Sequence, residues 1–148
     1  MEIRRYEQRD LASVAQLFND YRSFYDQLPD QALAIRFIAE RAQAGDSVIL
    51  VADSGAGHLV GFCQLYPSFC SVAAAPIYVL YDLFVAPAER RSGVARRLLK
   101  AAAARAKADG KVRMDLTTAK TNVKAQALYE SLGWSRDEIF LTYNLNLD

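Results

Sequence analysis

An arginine-rich turn stands between an apolar segment and an alanine-rich one. The segment "RRSGVA", residues 90–95, follows "YVLYDLFVAP" and overlaps the start of "VARRLLKAAAARAKADG". Where a strand passes into a helix through such a turn, the first helical N–H groups have no carbonyl partners and attract anions. Gly93 lets a ligand approach the backbone, and the arginines supply charged hydrogen bonds. The turn predicts a phosphate or pyrophosphate site, or else an ordinary helix start whose arginines face solvent.

Composition and charge limit the classes of function. The 148 residues are 52% hydrophobic and 24% charged with net charge +1, which is typical of a globular protein and lacks the dominant basic surface of nucleic-acid binding. No apolar run reaches the roughly 20 residues of a membrane span, and the start resembles no secretory signal. We therefore expect one cytoplasmic domain, residues 1–148, that binds neither nucleic acid nor membrane.

The charge is unevenly distributed along the chain. Residues 1–89 hold 6 basic and 11 acidic residues, net −5, whereas residues 90–148 hold 12 and 6, net +6. This division suits an anionic ligand on the second half and a cationic one near the first. The alternative is that the halves of the sequence do not correspond to halves of the molecule.

Metal and thiol chemistry are not indicated by the sequence. Cys63 and Cys70 lack the CxxC spacing of a zinc site, and the single histidine, His58, falls in a predicted hairpin turn. We expect buried or unreactive thiols, a surface histidine and no metal.

Hydrophobic periodicity predicts a mixed α/β sheet. Strand, crossover helix and strand follow one another over residues 77–117, which makes that strand pair parallel. Asp10, Asp30 and Asn122 are the predicted helix N-caps, and Gly45 and Gly110 the stops. The predicted elements are strands near 2–6, 47–52, 58–67, 77–85, 112–118 and 139–147, helices over 10–27, 30–45, 92–109 and 122–133, and a loop from Pro67 to Pro76.

Two motifs resemble those of the GNAT superfamily of acyl-CoA-dependent N-acetyltransferases. Arg90, Gly93 and Ala95 are similar to its Arg/Gln-x-x-Gly-x-Gly/Ala signature, and "NVKAQALYESLGW" is similar to its Asn-x-x-Ala-x-x-x-Tyr-x-x-x-Gly-aromatic segment. The resemblance covers nearly the whole chain. It implies a mixed sheet of six to seven strands with helices on both faces and splayed central parallel strands.

The resemblance also implies acetyl-CoA as co-substrate. The turn would hold the CoA pyrophosphate, the edge of the preceding strand would pair with the pantetheine amides, and Asn122 would touch the pantetheine arm. The predicted CoA-binding residues are Leu83, Phe84, Val85, Arg90, Arg91, Ser92, Gly93, Val94, Ala95, Arg96, Asn122 and Tyr129.

Acetyl transfer to an amine requires proton transfer, because an alkylammonium with a pKa near 10 carries its nucleophilic lone pair only when deprotonated. Asp82, a carboxylate in an otherwise apolar strand, is the candidate base or substrate anchor. It resembles the acid found at this strand in diamine-type acetyltransferases, although Tyr81 stands where some of those have a second acid. Tyr129 is the candidate acid for the leaving thiolate; the alternative is a core tyrosine.

The predicted amine pocket comes from the first helices and the loop from Pro67 to Pro76. Tyr21, Phe24 and Tyr25 would join Asp82 as an aromatic and acidic wall, with Asp20, Asp26 and Asp30 close by; the alternative is core aromatics with solvated or capping acids.

These predictions favour a small-molecule amine acetyltransferase acting by direct attack in a ternary complex. Two alternatives stay open: a protein lysine or N-terminal acetyltransferase, and a non-catalytic acyl-CoA sensor or interaction module. A homodimer is also expected if the apolar last strand, "IFLTYNLNL", lies at a sheet edge.

Overall fold

Five strands form one mixed sheet whose spatial order follows the chain. The computed structural model describes residues 1–147, which divide into two compact units, Met1–Thr117 and a second that begins at Thr118. The single domain expected over residues 1–148 stays a prediction. The strands, all in the first unit, are β1 (Glu2–Arg5), β2 (Val48–Asp53), β3 (Leu59–Cys70), β4 (Ala75–Val85) and β5 (Met114–Asp115).

The helices begin and end close to their predicted bounds. The Asp30 carboxylate accepts a hydrogen bond from the Leu33 N–H at 3.0 Å, and Gly45 closes its helix in the left-handed conformation. Among the described residues, no helix is long and apolar enough to cross a membrane. The helices are α1 (Leu11–Phe24), α2 (Gln31–Ala44) and α3 (Val94–Ala108) in the first unit and α4 (Val123–Ser131) in the second.

Strand pairing confirms the mixed sheet but corrects its strand count. The first four strands pair antiparallel, and β5 joins β4 in parallel after the α3 crossover. The described residues contain five sheet strands rather than six or seven. The strand predicted over 139–147 does not form there, and the one predicted over 112–118 pairs only at Met114 and Asp115.

The predicted loop from Pro67 to Pro76 is instead the end of a β-hairpin. Pro67 lies opposite Tyr78 and Cys70 opposite Ala75, so β3 and β4 continue to a short turn at residues 71–74. The two prolines suggested strand ends, but a proline is tolerated in a strand where its missing N–H is not needed for pairing. The hairpin keeps β3 and β4 paired well beyond the core.

The sheet carries α1 and α2 on one face and α3 on the other. Phe62 packs in a buried cluster with residues of α1 and α2 such as Phe18. Its neighbour Gly61 points to the opposite face, because side chains alternate along a strand. A Cβ at Gly61 would lie 3.3 Å from side-chain atoms of Val94 and Leu98 of α3, so this glycine lets α3 approach the sheet closely.

Asp10 is a buried ion-pair residue and not the predicted cap of α1. No side-chain capping bond forms at the start of α1. The Asp10 carboxylate accepts two hydrogen bonds from the Arg4 guanidinium, at 2.7 and 2.9 Å, and one from the Glu7 N–H. Arg4 also pairs with Asp53 at the end of β2. The hydrogen bond from Arg4 holds the pKa of the Asp10 carboxyl below its usual value.

We predict that Asp10→Ala lowers the free energy of unfolding by about 3 kcal/mol, because it leaves the largely buried Arg4 guanidinium short of a charge partner. The loss should be present near neutral pH and shrink only below about pH 4, as the wild-type carboxyl becomes protonated. Chemical denaturation at several pH values measures it.

Arg9→Ala is the matched control, since Arg9 pairs with Glu7 in solvent, and it should change the unfolding free energy by less than about 1 kcal/mol. Equal effects of the two substitutions would contradict a structural role for the Arg4–Asp10 pair.

Candidate functional site

Strand β4 pairs along its whole length with one neighbouring strand and over only two residues with the other. It pairs with β3 along its whole length, from Ala75 to Val85, but with β5 only at Tyr78 and Val79. Within the described residues, no strand pairs with the β5 side of β4 beyond Val79. This leaves an open strand edge immediately before the arginine-rich turn, as expected for splayed parallel strands.

Backbone direction determines which residues face that open edge. The Ala86 N–H donates to the Val60 carbonyl at 2.8 Å, so Ala86 faces β3. Backbone groups alternate in an antiparallel ladder, so those of Phe84 also face β3 and those of Leu83 and Val85 face the open edge. An extended ligand would therefore meet Leu83 and Val85, whereas Phe84 contributes a buried ring.

The turn presents the start of α3. Arg91 and Gly93 are both in the left-handed region, at φ 68° and 83°. The helix's first backbone bond is donated by the Arg97 N–H to the Gly93 carbonyl at 3.1 Å, so the Val94 and Ala95 N–H groups precede any helical acceptor. Nothing lies within 4 Å of where a Gly93 Cβ would stand. The backbone at Gly93 is therefore open to the approach of a ligand, and the anion site stays a prediction.

Arg90 turns toward the protein and not toward the start of α3. Its Nε donates to the Val85 carbonyl at 3.0 Å, and its guanidinium carbon lies 5.3 Å from the ring centre of Phe84 and 5.9 Å from that of Phe24. Ser92 is also engaged locally, donating to the Glu89 carbonyl. All three arginines of the predicted set, Arg90, Arg91 and Arg96, are exposed.

Asp82 lies in a buried polar network. The residue is 4% exposed, and its carboxylate accepts a hydrogen bond of 2.6 Å from the Gln64 amide, directly opposite on β3. Gln64 has no exposed surface, and its carbonyl accepts from the Ser47 hydroxyl at 2.8 Å. Burial raises the pKa of Asp82, while the hydrogen bonds from Gln64 and Tyr21 act in the opposite direction.

Tyr21 of α1 connects this carboxylate to an irregularity in β4. The register shifts between Gln64 and Leu65, so Tyr81 is an extra residue that bulges from the ladder. The Tyr21 hydroxyl donates to the Tyr81 carbonyl at 3.1 Å. Burial, followed by the nearby Asp82 charge, raises the pKa of the Tyr21 phenol. Tyr21 is thus a neutral hydrogen-bonding group at neutral pH.

The three aromatic residues predicted for the amine pocket lie together at the end of α1. The ring centres of Tyr21 and Tyr25 are 5.2 Å apart, as are those of Phe24 and Tyr25. Phe24 and Tyr25 are 57% and 47% exposed. Two of the acids expected beside them have local roles, since Asp30 caps α2 and Asp20 accepts from Gln16, and Asp26 is exposed. Asp82 is the buried acid among these candidates.

Three residues of this candidate site, Ser47, Gln64 and Tyr66, belong to none of the motifs that the sequence contains. Gln64 and Ser47 orient Asp82, and Tyr66 stacks edge-on against Tyr81 with ring centres 5.6 Å apart. A glutamine inside the apolar run "LVGFCQLYP" was the available signal for Gln64. The role of this glutamine could not be predicted, because it depends on the strand register that places Gln64 opposite Asp82.

The second unit contains the remaining two predicted residues. Asn122 caps α4, and its side-chain oxygen accepts from the Ala125 N–H at 3.3 Å, as predicted. Tyr129 lies two turns later, with its ring centre 6.1 Å from that of Trp134. The Trp134 N–H donates to the Tyr129 carbonyl, so the backbone after α4 folds against the helix end.

The histidine and the two cysteines lie outside the Asp82 network. His58 is exposed in the β2–β3 turn, as predicted. Burial raises the pKa of Cys63 to about 12, whereas backbone hydrogen bonds and Arg113 lower that of Cys70 at the hairpin end. Among residues 1–147, no group of three or more His, Cys, Asp or Glu side chains is placed to hold a metal ion.

Known proteins are similar to this chain in both sequence and fold. The pattern of the acetyltransferase (GNAT) family matches residues 11–134. The chain is 44% identical over 147 residues to the uncharacterized N-acetyltransferase YhfO of Bacillus subtilis (strain 168), covering 99% of this chain and 98% of that protein.

Two solved structures extend the comparison. The crystal structure of a probable acetyltransferase has a TM-score of 0.93 and 37% identity over 100% of this chain and 99% of its own. AAC(6')-Iy, in complex with the bisubstrate analogue CoA-S-monomethyl-acetylneamine, shares the fold with a TM-score of 0.81 and 23% identity over 99% of this chain and 98% of its own. The chain belongs to the GNAT acetyltransferase family and is an N-acetyltransferase.

Proposed function

We propose that this enzyme transfers the acetyl group of acetyl-CoA to the primary amine of a small cationic molecule, by direct attack in a ternary complex. The observation that carries the proposal is the buried Asp82 carboxylate, held by Gln64 beside a half-exposed aromatic cluster and next to the open edge of β4. A carboxylate and aromatic faces together favour an ammonium ligand.

The open β4 edge and the α3 start fit the two ends of CoA. Leu83 offers its backbone N–H and carbonyl to an extended amide chain in the manner of an added strand, and Val85 offers its N–H, since the Val85 carbonyl already accepts from Arg90. The Val94 and Ala95 N–H groups and the exposed Arg91 suit a pyrophosphate, and Gly93 keeps the approach open. When bound, acetyl-CoA supplies the acetyl group as a reactive thioester.

Asp82 takes the proton that makes the amine nucleophilic. Its raised pKa makes it a stronger base than an exposed aspartate, and the hydrogen bond from Gln64 fixes the orientation of its carboxylate. The amine lone pair forms the C–N bond as the C–S bond breaks. Tyr129, assigned through its position in the family motif, donates a proton to the departing sulfur and regains one from the acetylated nitrogen, which leaves a neutral amide.

A covalent acetyl-cysteine intermediate is not part of the proposal. Cys63 is buried and its raised pKa keeps it protonated, and Cys70 lies at the far end of the β3–β4 hairpin, 12 residues from Asp82 along the chain. Direct attack therefore requires both substrates to be bound together.

The test is thiol release from acetyl-CoA with diamines, polyamines, amino acids and basic peptides as acceptors. We expect turnover with small amines that carry a second positive charge. Turnover with peptides alone would instead indicate a protein acetyltransferase, and tight CoA binding without any acceptor would favour a sensor.

Tyr129→Phe should lower kcat by roughly 100- to 10,000-fold and leave the calorimetric affinity for CoA nearly unchanged, because only proton donation is removed. Unaltered kcat would refute the acid role. A parallel loss of CoA affinity would instead assign Tyr129 to binding.

Asp82→Asn should lower kcat and abolish the acid limb of the kcat/KM profile. That limb reports a free-enzyme carboxyl whose pKa is raised, so activity falls as the pH decreases through it. An increase in KM with kcat retained would show that Asp82 only anchors the substrate. His58→Gln is the control, because an exposed hairpin histidine should leave the limb in place.

Gln64→Leu should move the acid limb to higher pH by on the order of one unit, because it removes a hydrogen bond that stabilises the Asp82 carboxylate. Ser47→Ala, one bond further away, should move it much less. The kcat/KM of both variants measured as a function of pH gives the position of the acid limb. An unmoved limb in Gln64→Leu would contradict the assignment of the limb to Asp82.

A further inference from the structure

Asp82 has different surroundings on its two sides along β4. Toward the C-terminal end of the strand stands a cation, since the Arg90 guanidinium carbon lies 5.3 Å from the ring centre of Phe84 and 5.9 Å from that of Phe24. The Arg90 Nε donates to the Val85 carbonyl, and no acid in the described part of the chain forms an ion pair with it. Because like charges repel, this side disfavours a second positive charge.

The acetyl donor is proposed for the same side. Leu83, Val85 and the start of α3 all follow Asp82 in the direction of the chain, and the donor would occupy their backbone groups. A ternary complex needs room for both substrates. The acceptor therefore has to reach Asp82 from the N-terminal side of β4, where Tyr81 lies.

On this N-terminal side, β3 and β4 bring two tyrosines together. Tyr66 follows Gln64 by two residues on β3, so both side chains project from the same face of the sheet. Tyr81 is the bulged residue immediately before Asp82, and its ring centre lies 5.6 Å from that of Tyr66, with the ring planes at 69°. Tyr66 is partly buried, whereas Tyr81 is 67% exposed. The pair therefore presents aromatic surface beside the carboxylate.

The Tyr66–Tyr81 pair lies close to the Asp82 charge. Burial, followed by that charge, raises the pKa of the Tyr66 phenol, so Tyr66 is neutral at neutral pH. The Arg41 guanidinium, whose charge also reaches Tyr66, is paired with Asp46 at 3.3 Å. Aromatic faces beside an acid, with the adjacent cation already neutralised, attract an ammonium group and not an anion.

We infer that a second ammonium group of the acceptor binds against Tyr81 and Tyr66 while the reacting amine lies at Asp82. This inference rests on the proposed small-amine acetyltransferase function and names the residues that select a diamine. The negative face of an aromatic ring attracts a cation, and the attraction grows as the cation loses water. In this arrangement Phe24, predicted from the sequence for the amine pocket, does not contact the second ammonium, because its ring already lies beside the Arg90 guanidinium.

The strand spacing sets the length of the acceptor. Gln64, which bonds to Asp82, and Tyr66 are two residues apart on β3, a distance of about 6.7 Å. An extended carbon chain advances about 1.2 Å per bond, so two nitrogens separated by four methylene groups lie about 6 Å apart. We therefore expect a diamine with a chain of about four or five carbons to reach both positions.

The test compares two acceptors that share chain length and reacting group, 1,4-diaminobutane and n-butylamine, in the thiol-release assay. The ratio of their kcat/KM values measures recognition of the second charge, because damage to Asp82 or to folding affects both amines and cancels. We expect the wild-type ratio to exceed roughly 10 in favour of the diamine. Tyr81→Leu should lower that ratio about threefold to tenfold, and Tyr81→Leu/Tyr66→Leu should bring it to about one.

Tyr81→Phe and Phe24→Leu are the matched controls. Tyr81→Phe keeps the aromatic face and loses only the hydroxyl. Phe24→Leu removes a ring of comparable exposure on the Arg90 side of the carboxylate. Both variants should keep the wild-type ratio within about twofold.

The outcomes separate this inference from the function on which it rests. With both amines turned over, a wild-type ratio of about one, a ratio that Tyr81→Leu/Tyr66→Leu leaves unchanged, or an equal loss in Phe24→Leu would overturn the inference and leave the small-amine function in place. Turnover of neither these two amines nor any other small amine would refute the proposed function and the inference with it.

Discussion

The site depends on the unequal pairing of β4. β3 holds this strand along its whole length, while β5 accompanies it for only two residues. The full pairing gives β4 the rigidity to carry a buried carboxylate, and the partial pairing leaves Leu83 and Val85 with backbone groups directed away from the sheet. A β5 paired along all of β4 would close this edge, and a β4 without β3 would lose the position of Asp82. The catalytic proposal needs both conditions.

Burial of a carboxylate such as Asp82 is costly unless its charge is stabilised by hydrogen bonds. Two elements of the fold provide such bonds. Gln64 reaches it across the strand pair, and Tyr21 approaches from α1. Tyr21 also bonds to the carbonyl of the bulged Tyr81, so one phenol contacts both the carboxylate and the backbone irregularity beside it. The result is a carboxyl with a raised pKa that is nevertheless held in a defined orientation, which is what a base acting near neutral pH requires.

Sequence reasoning predicted features that depend on local chemistry. The α3 crossover, the caps at Asp30 and Asn122, and the stop at Gly45 follow from residue type and periodicity, and the structure confirms them. Asp82 stood out as one acid in an apolar strand. Features set by long-range register were not predicted: the Gln64 contact, the Tyr81 bulge and the Arg4–Asp10 pair each join residues whose proximity is fixed only by the fold. The loop predicted between Pro67 and Pro76 was wrong for the same reason, because pairing between β3 and β4 outweighs the local tendency of proline to end a strand.

Backbone amide NMR of the enzyme titrated with CoA shows directly where the acetyl donor binds. We expect the largest shifts and the strongest protection from exchange on Leu83 and Val85 and on the start of α3 from Gly93 to Ala95, with Phe84 changing less because its backbone already bonds to β3. Saturable binding that leaves the β4 edge unperturbed, or that perturbs a different surface, would contradict the claim that the open edge of β4 is where the acetyl donor binds.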